Sequence, residues 1–471
     1  MAKKALPGKF IENITGYIGA AEAEKLISAL SAEPCSGLRI NTLRVSVDEY
    51  MRMSPFRLDP VPWCKDGFYY DSSAYPGRHP HYYAGLYYIQ EPSAMFPVEV
   101  LAPLPGETIL DLCAAPGGKT VQIAARMENK GLLVSNDNNP KRVKALMKNI
   151  ELCGVRNACI SCLEPIALAA GLPGYFDGIL LDAPCSGEGM FRRDEHAVRS
   201  WCKHSPESYV RIQMELLKTA SLMLKPGGRI VYSTCTFSPD ENENLIAAFI
   251  EQNSDFSLAP IDLTLPGRAG IESGKCFESG GFGASGNVAR LWPHKLKAEG
   301  HFTALLYKNA SSIQSTARRT NWGTRPEFSN TPPSWYSGFV RDNFLEIPLL
   351  SISEGLFCTV GDNLYYCPRE VPDMDFYRFI KLGLFLGTKI ESKFKPSHSS
   401  VLCFKRTEFK RILDINADCV DALRYLKGET LNISGEKGLT IVCVDGFTLG
   451  WAYHDGNMFK NLYPSGWRML R

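Results

Sequence analysis

Asp111-Leu112-Cys113-Ala114-Ala115-Pro116-Gly117-Gly118-Lys119-Thr120 leaves an apolar run and enters a helical one, and its reading decides the fold. Small residues between a strand and a helix let the backbone close on a ligand at the carboxyl end of a sheet, with a helix N-terminus behind it. The spacing is not GxGxxG, which argues against a dinucleotide enzyme, and the absence of GxxxxGK(S/T) excludes a simple P-loop.

Working outward, Thr108–Cys113 reads as a strand and the helix is expected from about Thr120. Gly131–Asn136 is a second strand. Pro140 opens a helix with Val143, Leu146, Met147 and Ile150 at helical spacing, and Gly154 closes it. Asn157–Leu163 and Phe176–Leu181 are further strands, and Ser205-Pro206-Glu207 starts a long helix that ends at Lys225-Pro226-Gly227-Gly228. Arg229–Thr234 follows as a strand, and Ser238-Pro239-Asp240-Glu241 is expected to cap the next helix. This alternation between Thr108 and Lys308 predicts a Rossmann-like α/β domain, a parallel sheet with crossover helices, over residues 76–308.

The flanks differ in character. Residues 1–75 carry a helical stretch, Ala20–Leu30, and a half-buried strand, Leu38–Arg44, whose Arg39 and Arg44 are either solvated charges or phosphate contacts. Ser, Thr, Asn and Pro dominate Asn309–Ser337, which reads as a linker over 309–339. Residues 340–411 and 412–471 are smaller units rich in short strands, Gly and aromatics.

A chain of 471 residues is too long for one ordinary core, so several units are expected. No apolar run approaches the roughly 18–20 residues that span a bilayer, and no signal peptide opens the sequence, so a cytoplasmic protein without membrane contact is expected. The 15 cysteines are odd in number and scattered, which argues for free thiols in a reducing compartment. The only CxxC, Cys159 to Cys162, has no second pair, and no metal site is expected. A net charge of +2 does not announce a nucleic-acid partner, so that reading must rest on local patches and on the site.

Asp137 ends the second strand, where an acid can accept both hydroxyls of a ribose, and Glu164 ends the third, where a carboxylate can take an adenine amine. The fourth strand runs into Asp182-Ala183-Pro184-Cys185-Ser186-Gly187 and the fifth into Thr234-Cys235-Thr236. Adjacent strand ends thus bring an acid and two thiols to one crevice above the glycine turn. That set suits activation of a pyrimidine at carbon 5. Thiolate addition to carbon 6 breaks the aromatic conjugation and makes carbon 5 nucleophilic towards a sulfonium methyl donor. Asp182 is the candidate acid for the ring nitrogen that gains electron density. An amino-group methyltransferase would instead carry Asn or Asp, two prolines and an aromatic after the fourth strand, and would leave Cys235 without a task. An RNA-binding ribosome assembly factor without catalysis is the second alternative; intact thiol and glycine-turn motifs disfavour it.

Asp-Ala-Pro-Cys-Ser-Gly and Ser-Thr-Cys-Thr, behind Cys-Ala-Ala-Pro-Gly-Gly-Lys-Thr, resemble the Sun/Fmu family of RNA cytosine-C5 methyltransferases. Gln90-Glu91-Pro92-Ser93-Ala94 and Arg290-Leu291-Trp292-Pro293-His294 extend the resemblance over about residues 1–308. It implies S-adenosyl-L-methionine as cofactor, held by Cys113, Ala114, Ala115, Pro116, Gly117, Gly118, Lys119, Asp137, Glu164 and Asp182. It also implies that Cys235 attacks, that Cys185 assists product release, and that Lys119 reaches towards the active site. Glu164 departs from the family's usual Asp.

Phe394-Lys395-Pro396-Ser397-His398, Gly438–Gly446 and Leu449-Gly450-Trp451 resemble the ends of the bacterial 16S ribosomal-RNA members, with a PUA-like C-terminal domain. The implied substrate is 16S ribosomal RNA in its decoding region, free or in the small subunit, with transfer RNA as the alternative, and the implied protein is a monomer. Residues 376–411 interleave Arg378, Lys381, Lys389, Lys393, Lys395, Lys405, Arg406, Lys410 and Arg411 with seven aromatics, as either a solvated face or a phosphate-tracking surface.

Overall fold

The structure is a computed structural model that describes residues 6–204, 206–263, 272–275, 285–311, 327–345, 355–371 and 379–469. Its centre is one long sheet. The strands are β1 (Thr108–Asp111), β2 (Leu132–Asn136), β3 (Ala158–Ser161), β4 (Phe176–Asp182), β5 (Leu224–Thr234), β6 (Glu272–Lys275), β7 (Ser285–Leu291), β8 (His301–Lys308) and β9 (Phe379–Lys381). They lie in the order β6-β7-β8-β5-β4-β1-β2-β3-β9, with Phe256–Ala259 also paired to β8. Pairings from β3 across to β5 are parallel, and those outside them are antiparallel. Leu110, Val134, Ile160 and Ile179 are fully buried, as strands covered by helices on both faces require.

Local chemistry sets the helix ends. Helix α1 (Gly118–Arg126) starts two residues earlier than expected, directly from the glycine turn. Asn139 caps α2 (Pro140–Leu152) by accepting from the Lys141 N–H at 2.9 Å, and Val143, Leu146 and Ile150 bury its inner face. Helix α3 spans Pro206–Met223; Ser205, read as its cap, lies outside the described residues. Helix α4 (Glu243–Gln252) starts after the Ser238–Glu241 run, with Asn242 at the N-cap position but without a side-chain cap hydrogen bond, and Glu241 turns inward and is fully buried.

The N-terminal helices Gly8–Ile18 and Ala20–Leu30 precede a four-stranded antiparallel sheet of Leu58–Pro60, Gly67–Tyr70, Gly37–Ile40 and Tyr87–Ile89. That sheet runs past residue 75. The strand expected over Leu38–Arg44 stops at Ile40, because the Asn41 side chain donates to the carbonyls of Gly85 (2.7 Å) and Cys153 (2.8 Å) and turns the chain. Arg39 is neither solvated nor a phosphate contact. It is 0% exposed, lies 3.5 Å from Asp66 and donates to Gln90 at 3.1 Å. Asp66 also pairs with Arg126 of α1 at 2.7 Å, and Arg126 bonds Glu99, so buried ion pairs clamp the N-terminal unit to the helix behind the glycine turn. Cys64, Asp66 and Glu99 approach one another there, but two guanidiniums already neutralise the acids. Burial first, and then the two acids, push the Cys64 thiol well above its ordinary pKa.

From residue 327 on lie a five-stranded antiparallel sheet (Glu327–Ser329, Gly355–Val360, Asn363–Pro368, Leu384–Ile390, Lys393–Pro396) and a four-stranded mixed sheet (Ile412–Ile415, Gly438–Val444, Phe447–His454, Phe459–Asn461) whose first two strands are parallel. The first unit lends β9 to the central sheet, with the buried Lys381 ammonium 3.5 Å from Glu151 of α2. Residues 312–326 of the expected linker, and Phe376, Tyr377 and Arg378 of the basic segment, lie outside the described residues. Phe379, Phe404 and Phe409 are core, whereas Lys393, Lys395, Lys405, Arg406 and Lys410 are exposed. Among the described residues no helix is long and apolar enough to cross a membrane.

Candidate active site

The parallel register aligns Asp182 with Ser233, so the loops that follow β4 and β5 leave side by side. Cys185, three residues past Asp182, meets Cys235, two past Ser233, with the sulfurs 3.3 Å apart. The glycine turn leaves the neighbouring β1, and Lys119 in the first turn of α1 donates to Asp182 Oδ2 at 2.7 Å. Ser233 donates to Asp182 Oδ1 at 2.7 Å, and His301 Nε2 of β8 stands 3.7 Å from the same oxygen. Acid, ammonium and both thiols therefore share one crevice at the carboxyl end of the sheet.

Electrostatics assign protonation. Burial opposes charge on Asp182, yet Lys119 and His301 outweigh it and hold the carboxyl well below the usual range. Asp182 is therefore held as a carboxylate, a hydrogen-bond acceptor, with the Lys119 ammonium as the donor beside it. Contact with Cys235, then burial, push the Cys185 thiol well above its ordinary pKa, and either sulfur can donate in the contact between them.

The strand-end acids stand on the side of the crevice where the cofactor is expected. Asp137, 3% exposed, accepts from the Asn139 N–H (3.0 Å) and the Ala115 N–H (3.3 Å), which ties the second strand end to the glycine turn. Arg142 covers it, 3.3 Å from Oδ2 and bonded to the Ala115 carbonyl at 2.6 Å, and must swing aside for a ribose to reach the acid. Glu164 is exposed and accepts from Asn138, the chain neighbour of Asp137, at 3.2 Å. Gly117 has φ +110°, and a Cβ on Gly118 would meet the Tyr88 ring at 2.9 Å, so both positions need glycine. Asp111 Oδ1 is buried without a partner, and burial raises that carboxyl to about 7. A donor bearing an ammonium, a sulfonium, a ribose diol and an adenine amine matches this row of acceptors; when bound, it supplies a methyl group on a positively charged sulfur.

Two acids missed in the sequence lock the thiol loops together. Glu188 accepts from Trp201 Nε1, Thr236 Oγ1 and the Phe237 N–H, each at 3.0 Å, while the Gly189 N–H donates to the Cys235 carbonyl at 2.8 Å. Glu241 accepts from the Ser186 N–H and from Gln213 Nε2, each at 2.9 Å. Burial pushes Glu241 up to about 7, against the pull of its hydrogen bonds. The native state thus holds the Glu241 proton more tightly than the unfolded chain, whose Glu titrates near ~4.3, and stability falls as pH rises through that window. Glu241→Gln, an isostere of the protonated acid, is expected to gain roughly 2–3 kcal/mol on the wild type between pH 5 and pH 8. Urea midpoints at the two pH values measure it, and a constant difference would refute the assignment.

Fold and site define a Rossmann-like, S-adenosylmethionine-dependent methyltransferase with paired thiols. Residues 98–307 match the family described as 16S rRNA methyltransferase RsmB/F. Residues 6–92 match the N-terminal domain of 16S rRNA methyltransferase RsmF, 339–404 its first C-terminal domain, and 413–469 the RsmF PUA domain. The ribosomal RNA small subunit methyltransferase F of Shewanella loihica is 32% identical over 448 residues, covering 91% of this chain and 88% of the relative. That of Aeromonas salmonicida is 32% identical over 98% of this chain and 96% of its own. A methyltransferase homolog protein from Pyrococcus horikoshii superposes with a TM-score of 0.52 at 31% identity, covering 64% of this chain and 94% of that one. NSun6 of the same organism shares the fold at 23% identity, with a TM-score of 0.53 over 65% of this chain and 99% of its own. The chain belongs to the ribosomal RNA small subunit methyltransferase F family.

Proposed function

We propose that this enzyme transfers a methyl group from S-adenosyl-L-methionine to carbon 5 of cytosine in 16S ribosomal RNA, and that Cys235 is its nucleophile. The observation that carries this reading is the Cys185–Cys235 pair, 3.3 Å apart beside the Lys119–Asp182 ion pair. Thiol addition needs one sulfur free to attack and a second acid–base group at the same carbon pair; two adjacent thiols supply both.

In the reaction the Cys235 sulfur bonds to carbon 6, and the ring electrons move towards the ring nitrogen, where Lys119 donates a hydrogen bond and Asp182 accepts from the base amino group. Carbon 5 then takes the methyl group. The Cys235 thiol has given its proton to solvent on addition; the carbon 5 proton now leaves, the sulfur–carbon 6 bond breaks, and the aromatic ring is restored. Cys185 assists that last elimination by giving its own proton to the departing Cys235 sulfur, and the proton released from carbon 5 replaces it. The base must be flipped from its stack to enter, at a cost of a few kcal/mol that the N-terminal unit, the exposed lysines of residues 389–410 and the C-terminal unit offset by holding RNA. The enzyme acts in the cytoplasm, as a monomer, on cytosines of the decoding region.

Labelled methyl transfer to bare 16S RNA, assembled small subunits and bulk transfer RNA, with digestion to nucleosides, tests the reading. 5-Methylcytosine in ribosomal RNA is the expected product. Label confined to transfer RNA overturns the substrate, and a methylated exocyclic amine overturns the chemistry.

A further inference from the structure

At the amino-terminal ends of β2 and β3, the far end of the sheet from the thiols, four parts of the chain enclose a cavity of about 760 Å³. Gly131 and Asn157, which precede those strands, line it together with the turn that carries Arg44, the Lys405–Glu408 turn and Gly446–Thr448 of the C-terminal hairpin. Its size falls within the roughly 300–1,000 Å³ of small-ligand sites. The five residues of β2 separate it from the cofactor turn by about 17 Å.

Its charge is unbalanced. Arg44, Arg156, Lys405 and Arg406 line it against Glu49 and Glu408. Arg406 is paired to Asp414. Among the described residues the Arg44 guanidinium bonds only neutral acceptors, the Leu402 carbonyl and the Thr448 carbonyl (2.9 Å) and hydroxyl (2.8 Å), and its buried Nε has no acceptor. Burial accordingly draws its pKa below the ordinary arginine value. Among the described residues no carboxylate pairs with Arg156, whose backbone N–H alone is bonded, to Asn129 at 2.9 Å. Asn157 Oδ1, buried at the same wall, is also without a donor. A buried guanidinium without counter-charge is unfavourable in isolation. Guanidiniums also match phosphate oxygens in pairs. Phe447, partly buried, belongs to the same lining.

We propose that this cavity binds a nucleotide phosphate, held by Arg44 and Arg156 with Lys405 beside them. The phosphate is carried either by a stretch of RNA remote from the target cytosine or by a free nucleotide, and the recognition chemistry is common to both. The first source rests on the RNA methyltransferase reading; the second does not.

The test compares the full-length wild type with an Arg156→Ser, Lys405→Ser double variant, neither position belonging to the methyl-transfer crevice. Affinity for a 16S RNA transcript is measured across salt concentrations, thermal shifts are measured with adenosine monophosphate, and S-adenosylmethionine affinity serves as the check on folding. A roughly tenfold or greater loss of RNA affinity, with a salt slope shallower by about two, supports the site and assigns it to RNA. An adenosine monophosphate shift present in the wild type and lost in the variant supports the site and assigns it to a free nucleotide. Unchanged RNA affinity and slope, with no such shift or with one the variant retains, overturns the proposal. A wild type that binds RNA through these residues yet transfers no methyl group refutes the methyltransferase reading and leaves the cavity assignment standing.

Discussion

Cys235→Ala is expected to lose methyl transfer by on the order of 10⁴-fold or more, while Cys185→Ala is expected to accumulate a covalent RNA adduct that survives denaturing gels. The two outcomes differ although the sulfurs are only 3.3 Å apart, because the roles are sequential. Without the Cys235 sulfur no bond forms at carbon 6, and carbon 5 remains part of an aromatic ring. Without Cys185 the addition and the methylation still proceed, but the thiolate leaves without the neighbouring proton that eases its departure. Contact with Cys235 and burial raise the proton affinity of Cys185, as suits a group that gives a proton late in the cycle. Cofactor affinity of both variants should match the wild type, since neither sulfur belongs to the acceptor row of Asp137, Glu164 and Asp182. An adduct that forms without Cys235 would overturn the assignment.

Which of the two cysteines attacks is not written in their spacing, since each ends a core strand next to the other. What the sequence did carry was the row of strand ends. In a parallel sheet every crossover returns the chain to the same edge, so residues that follow consecutive strands must gather there. Asp137, Asp182, Cys185 and Cys235 were legible for that reason. Partners that arrive against this rule were not. His301 reaches Asp182 from β8, an antiparallel strand more than a hundred residues further along, and no local pattern ties it to the β4 end. Glu241 sits in a Ser-Pro-Asp-Glu run that is indistinguishable from a solvated helix start; only the packing of α3 against the thiol loops, with Gln213 facing it, turns it inward. Arg39 alternates with apolar neighbours as a solvated charge does, and its burial depends on Asp66 and Gln90, whose positions follow from the antiparallel pairing of three short strands. The middle unit gave no sign that it would extend the catalytic sheet, because β9 is three residues long and pairs through its backbone.

Asp182→Asn is expected to reduce turnover by roughly 10²–10³-fold with a much smaller effect on RNA affinity, and Lys119→Met to do about the same. The informative variant is the double one. Asp182 and Lys119 form a single unit, 2.7 Å apart, in which each holds the other's charge in a partly buried crevice. Removing either partner leaves a buried charge uncompensated, at about 3 kcal/mol of stability, the lower end of the range because Asp182 keeps some solvent contact. Removing both deletes the pair without leaving an unpaired charge, so the double variant should be more stable than either single one and no slower than the worse of them.

Independent action would instead multiply the two rate losses. The pH dependence separates the same alternatives. A carboxyl held below its unfolded value contributes stability that is fully present above about pH 4 and is lost as pH falls further. Asp182→Asn should therefore flatten the acid limb of the stability curve, and Lys119→Met should flatten it too, because Lys119 is the largest of the influences that hold Asp182 ionised. If Lys119→Met left the acid limb unchanged, His301 would have to hold the charge alone at 3.7 Å, and the proton that reaches the cytosine ring nitrogen would have to come from the histidine.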